Sequence, residues 1–127
     1  MTFKTNIEKD TIENTDYRRV IFTGEKVQLV LMSLKPGEDI PEEIHTGIDQ
    51  FIRIDAGKAT AYVDGKTYEL EDGDCIVIPA GKKHRIVNSS DSEDLKLYSI
   101  YAPPEHPDGT IHKTKAEADK YEQEHHH

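Results

Sequence analysis

Short runs rich in Val, Ile, Leu and aromatic residues recur along the chain between residues 20 and 101. Turn-forming groups such as Lys-Pro-Gly, Asp-Gly-Lys and Pro-Ala-Gly separate these runs, which is typical of β-strands joined by tight turns. The predicted strands cover residues 20–23, 26–34, 50–55, 58–63, 67–70, 75–78, 84–88 and 95–101. Many short strands at regular intervals predict an all-β sandwich or a small barrel.

Two of these runs carry more detailed predictions. Asp64-Gly65 lies between the runs that end at Val63 and begin again at Lys66, and this dipeptide predicts a two-residue hairpin turn with positive φ. The run 26–34 is apolar at both odd and even positions. It is therefore predicted to be a central strand that is covered on both faces.

Polar segments flank the strand-rich region and give the predicted organisation of the chain. Residues 1–19 form an N-terminal extension in which Thr5-x-x-Glu8 predicts the start of a short helix. Residues 20–101 form the barrel. Residues 102–124 form a proline-rich loop and a polar, solvated helix over 115–124, with a second capping box at Thr114-x-x-Glu117. Residues 125–127 are interpreted as the remnant of an affinity tag and are left out of the site.

Composition narrows the classes of partner. The 127 residues suit one domain, and 16 basic against 25 acidic side chains give a net charge of -9. This charge repels nucleic acid and anionic membranes, so neither is a predicted partner. No apolar stretch has the length of a signal peptide or a membrane span, so a cytoplasmic location is expected. Cys75, the only cysteine, lies in a predicted strand, where a packed hydrophobic role is favoured over a nucleophilic one.

Two segments hold side chains at spacings that suit one metal site. The first contains Glu43, His45 and Gln50, and the second contains His84. Glu43 and His45 are two positions apart and so share a face if they lie on a strand. A carboxylate, two imidazoles and an amide oxygen suit a divalent transition metal such as Fe, Mn, Ni, Co or Zn. One or two coordination positions would be left for water or substrate.

These segments resemble the paired motifs of the cupin superfamily, Gly-x5-His-x-His-x4-Glu-x6-Gly and Gly-x5-Pro-x-Gly-x2-His-x3-Asn. The matching positions in this chain are Gly37, His45, Gly57, Gly73, Pro79, Gly81, His84 and Asn88. The resemblance implies a jelly-roll barrel of antiparallel strands, a metal inside it and a homodimer. It also makes His84 the last metal ligand of the family's set.

The chain departs from the cupin pattern at two ligand positions. Glu43 stands where the family has its first histidine, and Gln50 stands where the family has glutamate. One interpretation is that the metal site has decayed and the barrel is kept for its shape. The other is that the carboxylate has moved to the first position, so that the set still holds two imidazoles and one anion. We favour the second interpretation because both substitutes are competent oxygen donors. Phosphomannose isomerases, which are also cupins, have the same ligand types with Gln and Glu exchanged.

Other residues are weaker candidates. Tyr62, Tyr98 and His106 are the candidate catalytic side chains, although a core tyrosine with one hydrogen bond is the common alternative. His106 and His112 flank the proline-rich loop, which either folds over the barrel mouth or is exposed. Arg53 points away from the face that carries Gln50, so a surface ion pair is favoured over a role in binding a substrate anion.

Two function hypotheses follow from these observations. The first is a small metalloenzyme that acts on a small polar, oxygen-rich substrate by isomerase- or epimerase-type chemistry or by Fe(II) dioxygenase-type chemistry. The second is a non-catalytic small-molecule-binding or sensor barrel whose metal is structural or absent. A shared fold does not select between them.

Overall fold

The computed structural model describes residues 1–125, and these residues form two antiparallel sheets with a short helix near each end of the chain. The strands are β1 (Arg18–Thr23), β2 (Gln28–Leu34), β3 (Asp39–Glu43), β4 (Asp49–Ala56), β5 (Lys58–Val63), β6 (Lys66–Glu71), β7 (Cys75–Ile78), β8 (His84–Asn88), β9 (Leu95–Ala102) and β10 (Ile111–His112). The helices are α1 (Ile7–Glu13) and α2 (Lys115–Glu124). The six-stranded sheet has the order β10-β1-β2-β9-β4-β7, and the four-stranded sheet has the order β3-β8-β5-β6. The predicted all-β jelly-roll barrel is confirmed.

The inner faces of both sheets contribute to one hydrophobic core. Strand alternation explains which residues enter it, because Gln50, Ile52 and Ile54 of β4 are buried while Phe51 and Arg53 face outward. The large aliphatic residues of this core that are fully buried include Ile86 from the four-stranded sheet and, from the six-stranded sheet, Val30, Leu34, Ile52, Ile54, Leu95 and Leu97. Burying each such side chain contributes about 1.5–3 kcal/mol, so this core holds the sheets together around the candidate ligands.

Strand β2 is central, as its apolar pattern predicts. It lies between β1 and β9 in the six-stranded sheet, and six of its seven residues are buried. The β5–β6 hairpin is also confirmed, because Asp64 has φ 48° and Gly65 has φ 82°.

Two residues of the paired motifs have structural roles in the turns. Gly57 has φ 88°, and a Cβ at this position would lie 2.5 Å from the carbonyl oxygen of Asp94. The Asn88 side chain donates to the carbonyls of Leu34 and Glu93 at 3.0 and 2.9 Å and accepts from the Ser90 N–H at 3.0 Å. Both residues therefore fix connections of the barrel and do not contact the candidate ligands.

Two strands were not predicted from the sequence as separate elements. Strand β3 is polar and contains Pro41, but it is an edge strand, where a proline costs no ladder hydrogen bond on its free side. It pairs with β8, with an irregularity between Ile40 and Glu43. Strand β10 has only two residues, which is too short for a periodic signal, and it pairs with Arg18 and Arg19 of β1.

The predicted helices are present, with one change of cap. The N-cap of α1 is Asn6 rather than Thr5, because the Asn6 side chain accepts from the Lys9 N–H at 3.1 Å. Helix α2 begins after Thr114 as predicted, and the Thr114 hydroxyl accepts from the Glu117 N–H at 3.1 Å. The polar helix α2 is largely solvated, as expected, and Ala118 is its one residue that packs into the core.

The packing role predicted for Cys75 is wrong. It is the first residue of β7, as the strand prediction implies, but β7 is the edge of its sheet and the thiol is exposed.

Neither helix within residues 1–125 combines the length and the apolar character that crossing a lipid bilayer requires.

Candidate metal centre

Glu43, His45 and His84 come together at one end of the barrel. The register of β3 against β8 places Glu43 opposite His84, and His45 follows two residues after the end of β3. Nε2 of His45 lies 3.3 Å from Oε1 of Glu43, and Nε2 of His84 lies 4.0 Å from the same oxygen. One donor atom from each of the three side chains lies within 4.8 Å of the others. Three of the four predicted ligands therefore converge.

The second nitrogen of each imidazole is turned toward an acceptor. Nδ1 of His84 lies 3.0 Å from the carbonyl oxygen of Lys82, which can only accept, so this nitrogen carries the proton. Nδ1 of His45 lies 3.4 Å from a carboxylate oxygen of Glu105. The Nε2 atoms of both rings are buried without a hydrogen-bond partner in the described chain. This arrangement is typical of metal-binding histidines, whose outer nitrogen is oriented by a carbonyl or a carboxylate.

Gln50 is the fourth predicted ligand and lies on the inner face of β4. Its amide nitrogen is 3.3 Å from the Ser99 hydroxyl and 3.2 Å from the Tyr101 hydroxyl, and both pairs are buried. These contacts orient the amide, and the buried oxygen Oε1 has no hydrogen-bond partner within residues 1–125. An orphaned buried amide oxygen is costly unless a cation or a donor satisfies it.

The two carboxylates beside His45 change its protonation. Burial alone would lower the pKa of His45, but the nearby carboxylates of Glu105 and Glu43 outweigh burial and raise this pKa to about 9. Burial opposes ionisation of Glu43, yet the close approach and charge of His45 hold the pKa of this carboxyl below its ordinary value. In the metal-free protein at neutral pH, a proton on His45 therefore lies where a cation would bind.

We expect the stability of the metal-free protein to fall as pH rises from about 6.5 to 9. The pKa of His45 is 6.5 when unperturbed and about 9 in the fold. The stabilisation is therefore complete below pH 6.5 and is lost as pH approaches 9, and it amounts to at most about 3 kcal/mol. Glu43 stays ionised across this window because its pKa is lowered. Urea unfolding at several pH values in the presence of a chelator measures the slope of unfolding free energy against pH. His45→Gln should remove most of it, and an unchanged slope in this variant would contradict the assignment.

The structure separates the three candidate catalytic residues. Tyr62 lies opposite Arg85 and Tyr98 opposite Arg53, so both tyrosines are on outer faces and are not brought to the cluster. His106 is brought close, because its ring packs edge-on against Tyr101 at 5.2 Å between centroids, and Tyr101 packs against His45 at 5.8 Å. Nε2 of His106 is buried without a partner in the described part of the chain.

The proline-rich loop folds back over the barrel, which resolves the alternative left open for it. Gln28 is fully buried and makes four hydrogen bonds, three of them to the loop. Its amide nitrogen donates to the carbonyl of His106 at 2.7 Å, and its oxygen accepts from the N–H groups of Glu105 and His106 at 3.1 and 2.9 Å. His112, after the loop, is also buried. The loop thus carries Glu105 to His45.

A cleft of about 720 Å³ opens beside the cluster, between β1, β3, the loop and α2. The lining residues that matter for the site are Tyr17, Arg18, Glu43, His45, Glu105 and Lys115. Arg18, Gln28 and Glu105 were not predicted as site residues. Arg18 falls in the predicted N-terminal extension, Gln28 is a polar residue near the start of a predicted strand, and Glu105 is an acid beside His106; such residues are usually exposed. Arg53 is placed as expected, in an outer-face ion pair with Asp55 and 3.7 Å from Glu8.

The fold and the site define a jelly-roll barrel with a candidate metal centre made of two histidines and a carboxylate. A family model described as "Cupin domain" matches residues 30–101, which include all four candidate ligands. The chain therefore belongs to the cupin family, whose members commonly bind metal.

Comparison with individual proteins extends this similarity. An uncharacterized protein of Acanthamoeba polyphaga mimivirus is 54% identical over 110 residues, which are 84% of this chain and 68% of that protein. The uncharacterized protein YrkC of Bacillus subtilis is 45% identical over 123 residues, which are 91% of this chain and 65% of that protein. The chain thus spans about two thirds of the length of these relatives.

A solved structure is similar over nearly its whole length. The crystal structure of BH2720 from Bacillus halodurans has a TM-score of 0.91 at 43% identity, and the match covers 94% of this chain and 95% of that chain. The barrel and both of its extensions therefore recur together in another protein.

Proposed function

We propose that this cupin binds one divalent transition metal and acts as a metalloenzyme on a small polar, oxygen-rich substrate. The ligands are Glu43, His45 and His84, with Oε1 of Gln50 as the fourth donor. The observation that carries the proposal is the environment of His84. Its Nδ1 proton is donated to the Lys82 carbonyl, and its bare Nε2 is buried 4.0 Å from Glu43 without a hydrogen-bond partner within residues 1–125.

The chemistry of the donor set supports this proposal. Two neutral imidazoles, one carboxylate and one amide oxygen suit Fe(II), Mn(II), Co(II), Ni(II) or Zn(II). Such an ion, when bound, polarises oxygen atoms of the substrate and stabilises negative charge that develops on them. Glu105 holds the His45 ring from the outer side at 3.4 Å, and Gln28 fixes the loop that carries Glu105.

The cleft beside the cluster supports an enzymatic role. It has about 720 Å³ and is lined by Glu43 and His45, so a small substrate reaches the candidate ligands from solvent. Isomerase- or epimerase-type chemistry needs a base here, and Glu105 is the carboxylate that lines the cleft next to His45. Fe(II) dioxygenase-type chemistry needs dioxygen and an oxidisable substrate instead. Both are reaction classes of this one site.

A non-catalytic ligand-binding barrel is the second candidate function, and one observation favours it. His45 has a pKa of about 9 and lies 3.3 Å from Glu43 and 3.4 Å from Glu105. A protonated His45 between two carboxylates is an arrangement that is electrostatically satisfied without a metal. Such a barrel would bind its small-molecule ligand in the same cleft.

The expected homodimer is also a proposal. Strands β6 and β7 are the outer strands of their sheets. Tyr62, Tyr68 and Val77, on or next to these strands, expose large apolar side chains. An unpaired strand edge with apolar neighbours suits pairing with a second copy.

We expect the protein to turn over a substrate only when metal is bound, and an assay of metal-loaded protein distinguishes the candidate functions. Protein in which His125, His126 and His127 are replaced by alanine is loaded anaerobically with Fe(II), Mn(II) or Zn(II) and assayed on a panel of small hydroxy and keto compounds. Oxygen is then admitted. Consumption of oxygen together with a substrate, in the Fe(II) form and not in the Mn(II) or Zn(II) form, indicates a dioxygenase, whereas product formation without oxygen uptake indicates an isomerase or epimerase.

Two variants control this assay. His84→Ala is expected to lower kcat/KM on the order of 100-fold or more. Tyr62→Phe, on the outer face, should leave kcat/KM unchanged. Stoichiometric metal with no turnover on any compound would favour the non-catalytic barrel, and equal activity of wild type and His84→Ala would reject the site.

A further inference from the structure

Arg18 has an unusual environment for a charged side chain. It is the first residue of β1 and is only 4% exposed. Within residues 1–125, no carboxylate oxygen lies within 4.0 Å of its guanidinium. Its one side-chain hydrogen bond in this range joins Nη1 to Nδ1 of His112 at 3.4 Å, and the buried Nε has no partner. Glu43 is close enough for the Arg18 charge to help lower its pKa, but it does not contact the guanidinium. A buried charge without a contacting counter-ion is unfavourable, so this arrangement calls for an anion.

The surroundings of Arg18 point to a ligand as the source of that anion. Arg18 lines the same cleft as Glu43 and His45, so one cleft is bordered both by the guanidinium and by two of the candidate metal ligands. His112, the hydrogen-bond partner of Arg18, does not supply this negative charge. Burial and the Arg18 charge lower the pKa of His112, so its ring stays neutral. The other arginines near the barrel differ, since Arg53 and Arg85 are paired with Asp55 and Asp39.

The charges around the cleft select the kind of anion. Lys115 lies 3.4 Å from Asp39 and 2.7 Å from Asp119, so its charge is already compensated. The side chains that line the cleft also include five acids, of which Asp119 is the partner of Lys115: Glu42, Glu43, Glu105, Asp119 and Glu122. Within residues 1–125, the guanidinium of Arg18 lies among these acids without a contacting carboxylate, which favours a monoanion over a dianion such as phosphate. A carboxylate is also planar and matches the guanidinium fork with two parallel hydrogen bonds.

We propose that Arg18 binds the carboxylate of a small hydroxy or keto acid whose neighbouring oxygen reaches the Glu43–His45–His84 site. This inference rests on the proposed function in one respect: the neighbouring oxygen of the acid is placed at the proposed metal site. The pairing of Arg18 with a carboxylate does not require the metal. Arg18 is thus a specificity residue, which places the substrate class among organic acids rather than neutral sugars or polyols.

Calorimetric titration of lactate, 1,2-propanediol and inorganic phosphate tests this proposal. Lactate and propanediol both carry vicinal oxygens and differ in the carboxylate. The Zn(II)-loaded protein with His125, His126 and His127 replaced by alanine should bind lactate at least about tenfold more tightly than propanediol, and more tightly than phosphate. Arg18→Gln should abolish this preference, and Arg18→Lys should restore only part of it because the planar fork is lost. Arg19→Gln, at the exposed neighbouring arginine, should leave the preference intact.

Several results would overturn the proposal. They are equal affinity of the wild type for lactate and propanediol, tighter binding of phosphate than of lactate, or an unchanged preference in Arg18→Gln. Should Arg18→Gln fail to fold, the Nε–H resonance of Arg18 in the wild type decides the matter, since lactate should shift it and propanediol should not. Metal-free protein is titrated in parallel. Lactate binding through Arg18 without any uptake of Zn(II) would support the pairing and reject the metal site, whereas uptake of Zn(II) without a preference for lactate would reject the pairing alone.

Discussion

Replacing His84 with alanine is expected to lower the affinity for Zn(II) on the order of 100-fold or more, because it removes a preoriented ligand. The ring is held by the Lys82 carbonyl at 3.0 Å, so its Nε2 is available without reorganisation. Glu43→Ala should have a similar effect, since it removes the anion that lies within reach of both imidazoles. Competition with a fluorescent zinc chelator measures the affinity in protein that has alanine at positions 125–127.

A matched control for these variants is His112→Ala, which removes a buried histidine outside the cluster. It should lower stability but leave the zinc affinity within about threefold of the wild type. Equal losses of affinity in His84→Ala and His112→Ala would indicate a general effect of unfolding and would contradict the site.

Replacing Gln28 with alanine is expected to cost about 3 kcal/mol of unfolding free energy, or to release the proline-rich loop. The change removes the hydrogen-bond partner of three backbone groups next to the buried Gln28 side chain. These groups are the N–H of Glu105 and the N–H and carbonyl of His106. Each unsatisfied buried group costs about 1–3 kcal/mol. Because Glu105 then no longer orients His45, zinc affinity should also fall about tenfold. Urea unfolding and the chelator competition measure the two effects.

Gln28→Glu is the matched control for Gln28→Ala. A carboxylate still accepts from the two N–H groups but cannot donate to the carbonyl of His106, and it places a charge in a fully buried position. Gln28→Glu should therefore also lose stability but keep the Glu105 and His106 amides better protected than Gln28→Ala does. Native-state hydrogen exchange of the Glu105 and His106 amides separates loop opening from global unfolding. Unchanged exchange at these amides in Gln28→Ala would contradict the clamping role.

The barrel was predictable because its signals are local. The Asp64-Gly65 turn, the two-sided apolar pattern of β2 and the capping box at Thr114 each depend on residues that are adjacent in sequence. Strand β3 lacked such a signal, because its polar composition and Pro41 are tolerated only at a sheet edge. Cys75 was misjudged for the same reason, since exposure at an edge strand depends on the order of strands in the sheet.

The candidate site was predictable only as far as the motif spacings reached. Glu43, His45 and His84 come from two segments whose glycines fix the turns, and the structure brings these three together. Arg18 and Glu105 reach the site through pairings between distant parts of the chain, β1 with β10 and Gln28 with the loop. Nothing in their local sequence indicates burial, so tertiary structure was needed to find them.

Metal content of the protein with alanine at positions 125–127 tests the central claim most directly. After incubation with Zn(II) or Mn(II) and removal of free metal, elemental analysis should give about one ion per chain in the wild type and almost none in Glu43→Ala and His84→Ala. A wild type that retains no stoichiometric metal, or a variant that retains as much metal as the wild type, would contradict the proposed centre.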